Sequence, residues 1–395
     1  MKTKLLCNLQ GLQKNSLSNR KIRIHPQPLE DELISSWFCR TAIGNLTVPI
    51  TFLNLYLGDY KTVFFSDFDW NREDFIKAIS QKVGFSKEKV FSITLRSYEG
   101  YLFEAQNKFS SNKPFINPVG FRGGRNRRCG LRFCPYCLRE SEHFRKKWRL
   151  TFSTACVKHR VFLIDRCPEC GEPLTIQKWR NDKLNFHCWK CGFEFKKAET
   201  ERVPEESKGI ETIKRLYEIL EKGYFEFEGR VYYSIAYFKV LGHFTKVVYN
   251  WQRRKWDLLK REEKIVDINL SMKSRGVIYY NIPLKEQYVL FTALVDILSS
   301  RERLEKFITD NRLQKTELTR DFEDYPFWYS GFVSKYSGET YSPSLEEVKC
   351  AIKYLQQKGV EVNWKNLRTT VGKFVDKRKR KDVWSFLESL LRGEQ

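Results

Sequence analysis

The sequence lacks the features of membrane-spanning and secreted proteins. It has no apolar run long enough to cross a bilayer, and residues 1–21 are basic and polar without an apolar signal core. We therefore expect a cytoplasmic protein. In such a reducing compartment, clustered cysteines indicate metal ligands and not disulfides.

The sequence also lacks the motifs of common catalytic sites. It contains only five histidines, and apart from His159, discussed below, none lies in a recognisable nucleophile or general-base setting. The absence of a G-x4-G-K-[ST] phosphate loop excludes ATP hydrolysis of the P-loop type. No motif pairs the carboxylates, so we predict that the chain is not an enzyme. A metal-dependent nuclease, whose acidic triad would be assembled only in space, is the enzymatic alternative.

Acidic residues are too few to balance the basic ones. The chain has 71 lysines and arginines against 48 aspartates and glutamates, which gives a net charge of +23. Such an excess predicts a polyanionic partner, and nucleic acid is the leading candidate because no lipid anchor or amphipathic membrane helix is evident. A soluble basic protein without such a partner is the alternative.

The most specific pattern is a set of four short metal-ligand pairs between residues 134 and 191. Each pair has the spacing that lets two side chains reach one tetrahedral ion from a tight turn. Thiolate-rich ligand sets favour zinc, so the sequence predicts two zinc ions, one held by three cysteines and a histidine and one by four cysteines. The pairs are Cys134-x2-Cys137, Cys156-x2-His159, Cys167-x2-Cys170 and Cys188-x2-Cys191.

Both zinc ions are expected to be structural, because a site filled by protein ligands has no open position for water or substrate. Sequential pairing along the chain is the simplest arrangement, although an interleaved cross-brace would use the same residues. His187, beside Cys188, is either a substitute ligand or a bystander. Ordinary thiols are expected at the other four of the 11 cysteines, Cys7, Cys39, Cys129 and Cys350.

The 395 residues exceed what one compact core usually supports. The patterns predict a mainly α, multi-domain fold with small zinc-ribbon or zinc-finger β elements and helix-turn-helix-like units at both ends. A plain small helical bundle is the alternative for the N-terminal unit. The predicted segments are a tail (1–24), an N-terminal helical domain (25–103), a basic loop (104–132), a tandem zinc-binding module (133–200), a helical domain (201–340) and a C-terminal basic segment (341–395).

Hydrophobic periodicity and capping residues predict the individual elements. Asp31 is the expected cap of the first helix, which stops at Gly44 and Asn45. A strand is predicted over 159–164, a polar linker over 201–208 and an aromatic-rich connector over 320–343. Further helices are predicted over 50–57, 71–83, 86–91, 210–220, 231–250, 284–307, 344–357 and 364–375.

Two basic stretches are candidates for nucleic-acid contact, and a solvated charged surface is the alternative for both. The first is a glycine-rich loop that ends with Arg132, and its candidate residues are Arg122, Arg125, Arg127 and Arg128. The second is a C-terminal helix pair with the outline of a DNA-reading unit and the cation run that follows it. Its candidates are Lys365, Arg368, Lys373, Lys377, Arg378, Lys379, Arg380 and Lys381.

Several motifs, in one order, resemble the TniQ/TnsD family. The N-terminal signature is His-Pro-Gln-Pro-Leu at 25–29, followed by Asp-Glu at 31–32 and Ser-Trp at 36–37. The zinc region is similar through Phe-Cys-Pro-Tyr-Cys-Leu-Arg-Glu at 133–140, Trp-Arg-Leu at 148–150, the Cys156 and His159 pair, and Cys-Pro-Glu-Cys-Gly at 167–171. The resemblance covers about residues 22–195.

This resemblance implies a target-site selector for multi-subunit DDE transposons of prokaryotes. Proteins of the family mark the insertion site and help recruit an AAA+ ATPase regulator, TnsC, which engages the transposase. Some members bind a DNA attachment site directly. Others dimerise and dock on a CRISPR Cascade complex, whose guide RNA chooses the site. The resemblance also implies that all eight residues of the four pairs are metal ligands.

We therefore expect a target-site selector for DNA transposition. It would bind target DNA or a guide-RNA Cascade complex and recruit a TnsC-like AAA+ ATPase, so that the transposase inserts there. A homodimer is compatible with this role, no membrane partner is expected, and the expected location is the prokaryotic cytoplasm, in association with the nucleoid. The alternative is a stand-alone, zinc-containing, sequence-specific DNA-binding regulator.

Overall fold

The chain divides into two compact units. The first comprises the described residues within 1–97 and 111–203, and the second those within 98–110 and 204–395. The division after residue 203 lies inside the predicted polar linker over 201–208. The computed structural model describes residues 21–64, 66–70, 72–104, 113–120, 125–178, 186–250, 282–322, 324–337, 341, 343–372 and 381–392.

The first unit joins a bundle of short helices to the cysteine-rich region. Its helices are α1 (Ile34–Gly44), α2 (Pro49–Tyr56), α3 (Lys61–Phe64), α4 (Glu73–Val83), α5 (Lys87–Ser92) and α6 (Pro135–Glu140). Two short antiparallel strands, β1 (Ala155–Cys156) and β2 (Val161–Phe162), pair in this unit. Large buried side chains of the bundle, Trp37, Phe38, Phe52 and Phe75 among them, form one apolar core.

The two ends of α1 test the predicted capping residues. Asn45 follows the helix and its backbone N–H donates to the Thr41 carbonyl at 3.2 Å, which confirms the predicted stop. The predicted cap at Asp31 is wrong, because the helix is preceded by Leu33 without a side-chain cap. Asp31 instead adopts a positive φ of 56° and accepts a hydrogen bond from the Lys147 backbone at 3.2 Å.

The second unit is also mainly helical and contains one β-hairpin. Its helices are α7 (Gly209–Lys222), α8 (Ser234–Asn250), α9 (Leu284–Ile297), α10 (Arg301–Asp310), α11 (Lys315–Thr319), α12 (Phe327–Ser337), α13 (Leu345–Gln357), α14 (Trp364–Val371) and α15 (Lys381–Arg392). Strands β3 (Tyr224–Phe227) and β4 (Arg230–Tyr233) pair antiparallel. The predicted mainly α fold with small β elements is thereby confirmed.

Three predictions in the second unit are wrong in their boundaries. Residues 230–233 form β4, and a helix begins only at Ser234, because aromatic side chains suit a half-buried strand as well as a helix. The predicted helix over 284–307 is two helices, and the Ser300 hydroxyl caps the second by accepting from the Arg303 N–H at 3.3 Å. Part of the predicted connector over 320–343 is helix α12, which buries Trp328 and Phe332 one turn apart.

The C-terminal helices α13, α14 and α15 share one apolar core. Helix α13 confirms its prediction, since the Ser344 hydroxyl accepts from the Glu347 N–H at 3.2 Å and the helix ends at Gln357. Helix α14 is shorter than predicted because Gly372 has a positive φ of 85°, which ends the helix. Among the described residues, no helix combines the length and apolarity that a membrane crossing requires.

Candidate metal centres and cationic surfaces

Cys134, Cys137, Cys156 and His159 come together in the first unit, and their ligand atoms lie within 4.8 Å of one another. Cys134 directly precedes α6, and Cys137 lies in the first turn of that helix. Because Pro135 is the first helical residue, its fixed φ favours the turn that points both thiols the same way. The start of one short helix therefore supplies half of the ligand set.

The hairpin of β1 and β2 supplies the other half. Cys156 pairs with Val161 across the hairpin, so His159 lies in the turn between the strands. Arg160 completes this turn with a positive φ of 50°, and its N–H donates to the Cys156 carbonyl at 2.8 Å. The tight turn brings the imidazole back to the thiol of Cys156, with Sγ and Nδ1 3.5 Å apart.

The spacing of the four ligand atoms fits a tetrahedral zinc ion. With a zinc–sulfur distance of about 2.3 Å, neighbouring thiolates lie about 3.8 Å apart and a thiolate and an imidazole nitrogen about 3.5 Å apart. The Cys137 and Cys156 sulfurs are 3.6 Å apart, and the Cys134 and Cys137 sulfurs lie 3.6 and 3.3 Å from His159 Nδ1.

A carboxylate orients the histidine by contacting the ring nitrogen opposite the thiols. His159 Nε2, the ring nitrogen that faces away from the thiols, lies 3.1 Å from Glu140 Oε1 at the end of α6. Lys158 donates to the other oxygen of the same carboxylate at 2.6 Å. Hydrogen bonds from Lys158 and His159 lower the pKa of Glu140, so the group is a carboxylate at neutral pH. Metal-bound histidines are commonly held by such a carboxylate.

Cys167, Cys170, Cys188 and Cys191 form the second group, also within 4.8 Å. The Cys167 and Cys191 sulfurs are 3.6 Å apart, as are those of Cys170 and Cys188. These separations again match the edge of a zinc–thiolate tetrahedron, about 3.8 Å. The residues present therefore fit a four-cysteine zinc site.

Each pair of this second group lies in the same type of turn. The Gly171 N–H donates to the Cys167 carbonyl and the Gly192 N–H to the Cys188 carbonyl, both at 2.9 Å. Both glycines have positive φ, 69° and 79°, a conformation that glycine adopts without strain. The sequence Cys-x2-Cys-Gly thus encodes the turn as well as the ligands.

The grouping of the ligands is sequential along the chain. The first two pairs make one group, the last two pairs make the other, and His187 belongs to neither. The two groups lie on one connected framework, because the Arg139 side chain of α6 donates to the Lys196 carbonyl at 2.6 Å. The rings of Phe133 and Phe195, 5.0 Å apart, pack across the same junction.

Sequence reasoning missed a buried polar network beneath the N-terminal signature. The Glu32 side chain is fully buried and accepts hydrogen bonds from the Ser36 hydroxyl at 3.0 Å and from the Arg40 guanidinium at 2.8 Å. The Trp37 indole N–H donates to the Pro26 carbonyl at 2.8 Å and holds the proline-rich approach against α1. These signature residues are therefore part of the fold itself.

A second buried network joins the helical bundle to the cysteine-rich region. Arg149 is fully buried, and its guanidinium donates to Asp67 at 2.6 and 3.1 Å, to Asp69 at 2.8 Å and to the Asn117 carbonyl at 2.9 Å. Burial raises the pKa of Asp69 even though Arg149 opposes that shift. No spacing in the sequence links these residues, so the pairing could not be read from it.

The loop arginines have different surroundings. Arg127 and Arg128 are exposed, whereas Arg125 is half-buried and pairs with Glu172 at 3.3 Å. Arg122 lies outside the described residues. Arg132 is buried, with its guanidinium 2.8 Å from the Ser153 carbonyl, so it is part of the fold and not of the exposed surface of the loop.

The C-terminal cations are described only in part. Lys365 and Arg368 are exposed on α14, three residues apart and hence on one side of the helix, and Lys381 is exposed at the start of α15. The rings of Trp364 and Trp384 lie 5.0 Å apart and connect these two helices. The candidates outside the described residues are Lys373, Lys377, Arg378, Lys379 and Arg380.

A family model matches the part of the chain that contains the Cys3His group. The family model named TniQ matches residues 23–163. Residues 23–163 are thus similar to the TniQ domain. The TniQ domain belongs to a non-catalytic adaptor family associated with target-site selection in DNA transposition. No curated protein matches the chain.

The matched residues of the TniQ domain coincide with identifiable parts of the first unit. They include helices α1 to α6, the buried networks of Glu32 and Arg149, and the Cys3His group. The match ends before Cys167, so the four-cysteine group lies C-terminal to the matched stretch. The Cys3His group is thus part of the TniQ domain itself.

Proposed function

We propose that this TniQ-domain protein selects the target site for DNA transposition by binding target DNA, or a guide-RNA Cascade complex, and recruiting a TnsC-like AAA+ ATPase. The transposase then inserts at the selected site. The observation that carries the proposal is the TniQ match over residues 23–163, which takes in a complete Cys3His group with tetrahedral spacing. The protein itself has no catalytic part in the transfer reaction.

In this proposal the two metal groups hold zinc as structural ions. Three thiolates and the Nδ1 of His159 would bind the first ion, and four thiolates the second. Zinc would supply no chemistry beyond ligation, because both ligand sets are complete. The function of the ions is to fix α6, the β1–β2 hairpin and the two glycine turns as one rigid platform.

We assign nucleic-acid contact to cations that are exposed or half-buried. The net charge of +23 supports a polyanionic partner. The assigned residues in the described part of the chain are Arg125, Arg127, Arg128, Lys365, Arg368 and Lys381, and the others predicted from the sequence belong to the same proposal. Helices α13 to α15 would present the C-terminal cations as a helix-turn-helix-like unit.

The proposed partners follow from the family resemblance. They are DNA or Cascade with its guide RNA, the AAA+ ATPase and, in members that dock on Cascade, a second copy of the chain. The prokaryotic cytoplasm, close to the nucleoid, is the corresponding location.

Gel-shift titration of the full chain against attachment-site and random DNA, at a stated salt concentration, tests the DNA part of the proposal. Capture of the AAA+ ATPase by the immobilised chain tests recruitment. Capture together with nucleic-acid binding is the expected result. Specific DNA binding without ATPase capture would support a stand-alone regulator instead, and failure of both measurements would contradict the proposal.

A further inference from the structure

Two cations lie against one indole ring in the second turn of the four-cysteine group. Trp189 occupies the position after Cys188, and Lys178 Nζ lies 3.9 Å from its ring centroid. The Arg125 guanidinium lies 5.9 Å from the same ring. Cations over an aromatic face are attracted to it, so the ring fixes two side chains that come from separate parts of the chain.

A shared carboxylate connects a third cation to this group. Glu172 accepts from Arg125 Nη1 at 3.3 Å and from Lys190 Nζ at 3.1 Å. Three cations are therefore linked by contact to one carboxylate and one ring. The Lys190 side chain is half exposed, whereas that of Glu172 is mostly covered. The positive charge of this group faces solvent more than the negative charge does.

The backbone beneath these cations is firmly held. Asn126, next to Arg125, donates from its backbone N–H to the Thr175 hydroxyl at 3.0 Å and from its side chain to the Leu174 carbonyl at 2.6 Å. This contact fastens the arginine loop to the segment that leads to Lys178. The cations are thus positioned before any partner arrives, which lowers the entropic cost of binding.

We infer that Arg125, Lys178 and Lys190, held by Trp189 and Glu172, form a phosphate-binding face for the backbone of nucleic acid. Neighbouring like charges repel one another, and a row of phosphates would relieve that repulsion. The exposed Arg127 and Arg128 continue the same loop beyond Arg125. Because contacts between cations and phosphates carry no sequence information, we expect this face to bind nucleic acid regardless of sequence. The inference rests on the nucleic-acid partner in the proposed function.

The double substitution Lys178→Gln and Lys190→Gln tests this face in the zinc-loaded full chain. The matched control, Lys222→Gln with Lys335→Gln, removes two exposed lysines that also pair with glutamates. The probe is a short random-sequence DNA duplex, titrated at several salt concentrations. Zinc content is measured for every variant, since Lys190 lies between two ligands.

Loss of two phosphate contacts should raise the dissociation constant about tenfold and make the slope of log affinity against log salt about 2 less steep. The control substitutions should change the dissociation constant and the salt slope by smaller amounts. Unchanged affinity in the zinc-loaded test variant, or an equal loss in the control, would overturn the inference. So would unchanged DNA affinity with lost AAA+ ATPase capture, which would make the face a protein-docking surface. If the unsubstituted chain binds no nucleic acid, that result contradicts the nucleic-acid part of the proposed function, and not only the role of this face.

Discussion

At the scale of single residues, the polar chain of Lys158, Glu140 and His159 decides how the Cys3His group holds its histidine. The imidazole has its metal-facing nitrogen among three sulfurs and its other nitrogen on Glu140. The spacing of the ligand pairs predicts the ligands themselves. It does not predict Glu140 as a supporting residue, because that role depends on where the end of α6 meets the hairpin.

Glu140→Ala should weaken zinc binding while leaving all four ligands in place. Carboxylates behind metal-bound histidines contribute about 10- to 100-fold to affinity, so we expect a loss of at least about tenfold. Competition with a chromophoric chelator measures the effect. Glu142→Ala is the control, since Glu142 pairs with Lys196 on the surface. Equal zinc affinity in the two variants would contradict the assignment of Glu140.

Arg149→Met should destabilise the first unit strongly. Removing the guanidinium leaves the Asp69 carboxylate buried without its cation, and breaking a buried ion pair costs about 3–5 kcal/mol. Chemical unfolding of the zinc-loaded chain, followed by tryptophan fluorescence, measures the change.

The control for that substitution is Arg166→Met. Arg166 is largely exposed and pairs with neighbouring Asp165, so its loss should cost no more than about 1 kcal/mol. A similar stability for both variants would show that the Arg149 network contributes little to the fold.

At the scale of elements, local signals predicted some helices well and others not at all. Helix α13 was predictable because its Ser344 cap and its apolar spacing are encoded within one short stretch. Hairpin β3–β4 was not, because Tyr232 and Tyr233 are buried by packing that only the tertiary structure provides. Helix α12 was missed for a different reason. Its apolar side chains are not confined to one face of the helix, so they give no helical periodicity in the sequence.

In contrast to hairpin β3–β4 and helix α12, the two turns of the four-cysteine group are determined by local sequence. Their Cys-x2-Cys-Gly sequences determine ligand direction and backbone conformation together, so both turns were predictable. Sequential grouping was preferred only for simplicity, and spacing alone left the cross-brace open. The structure shows the sequential arrangement, because the first two pairs form one group and the last two pairs form the other.

Glu347 links α12 to α13 and should make stability depend on pH. Its carboxylate accepts from the Tyr341 hydroxyl at 2.9 Å and from the Phe327 N–H at 3.4 Å. Burial raises the pKa of Glu347 from its ordinary value of 4.5 to about 7. Between these pH values the folded state binds more protons than the unfolded state, so this group lowers stability as pH rises through that window.

Glu347→Gln should remove that pH dependence, because glutamine keeps a hydrogen-bond acceptor and cannot ionise. At pH 8 the variant should gain up to about 3 kcal/mol relative to the original chain, and at pH 4 the gain should vanish. Thermal unfolding across this range measures it. The control is Glu346→Gln, on the neighbouring half-buried residue. A parallel pH profile for the Glu347 variant and the original chain would contradict the account.

At the scale of the whole molecule, the two candidate metal groups of the described residues lie in one unit, whereas the candidate nucleic-acid contacts lie in both units. The Cys3His and four-cysteine groups both lie in the first unit, and the C-terminal cations lie in the second. The segment boundaries predicted from composition stay predictions. Composition could not show that the helical bundle and the metal groups share one compact unit, because buried pairs such as Arg149 with Asp69 join them.

Neutralising the exposed face of α14 should weaken nucleic-acid binding without changing stability. Lys365→Gln with Arg368→Gln removes two cations that would contact phosphates, so the slope of log affinity against log salt should become about 2 less steep. Filter binding to random and attachment-site duplexes measures it. The control is Lys353→Gln with Lys358→Gln, two exposed cations on α13 and just after it. Unaltered affinity for DNA after the α14 substitutions would show that this face of the helix does not contact nucleic acid.

Two structural zinc ions are proposed to hold α6, the β1–β2 hairpin and the two glycine turns together as one rigid platform. Elemental analysis of the purified full chain, after dialysis against a weak chelator, tests this proposal most directly. We expect two zinc ions per chain, matching the two ligand groups, and a loss of folded structure when a strong chelator removes them. A folded chain that contains no zinc, or that keeps its thermal stability after complete chelation, would contradict it.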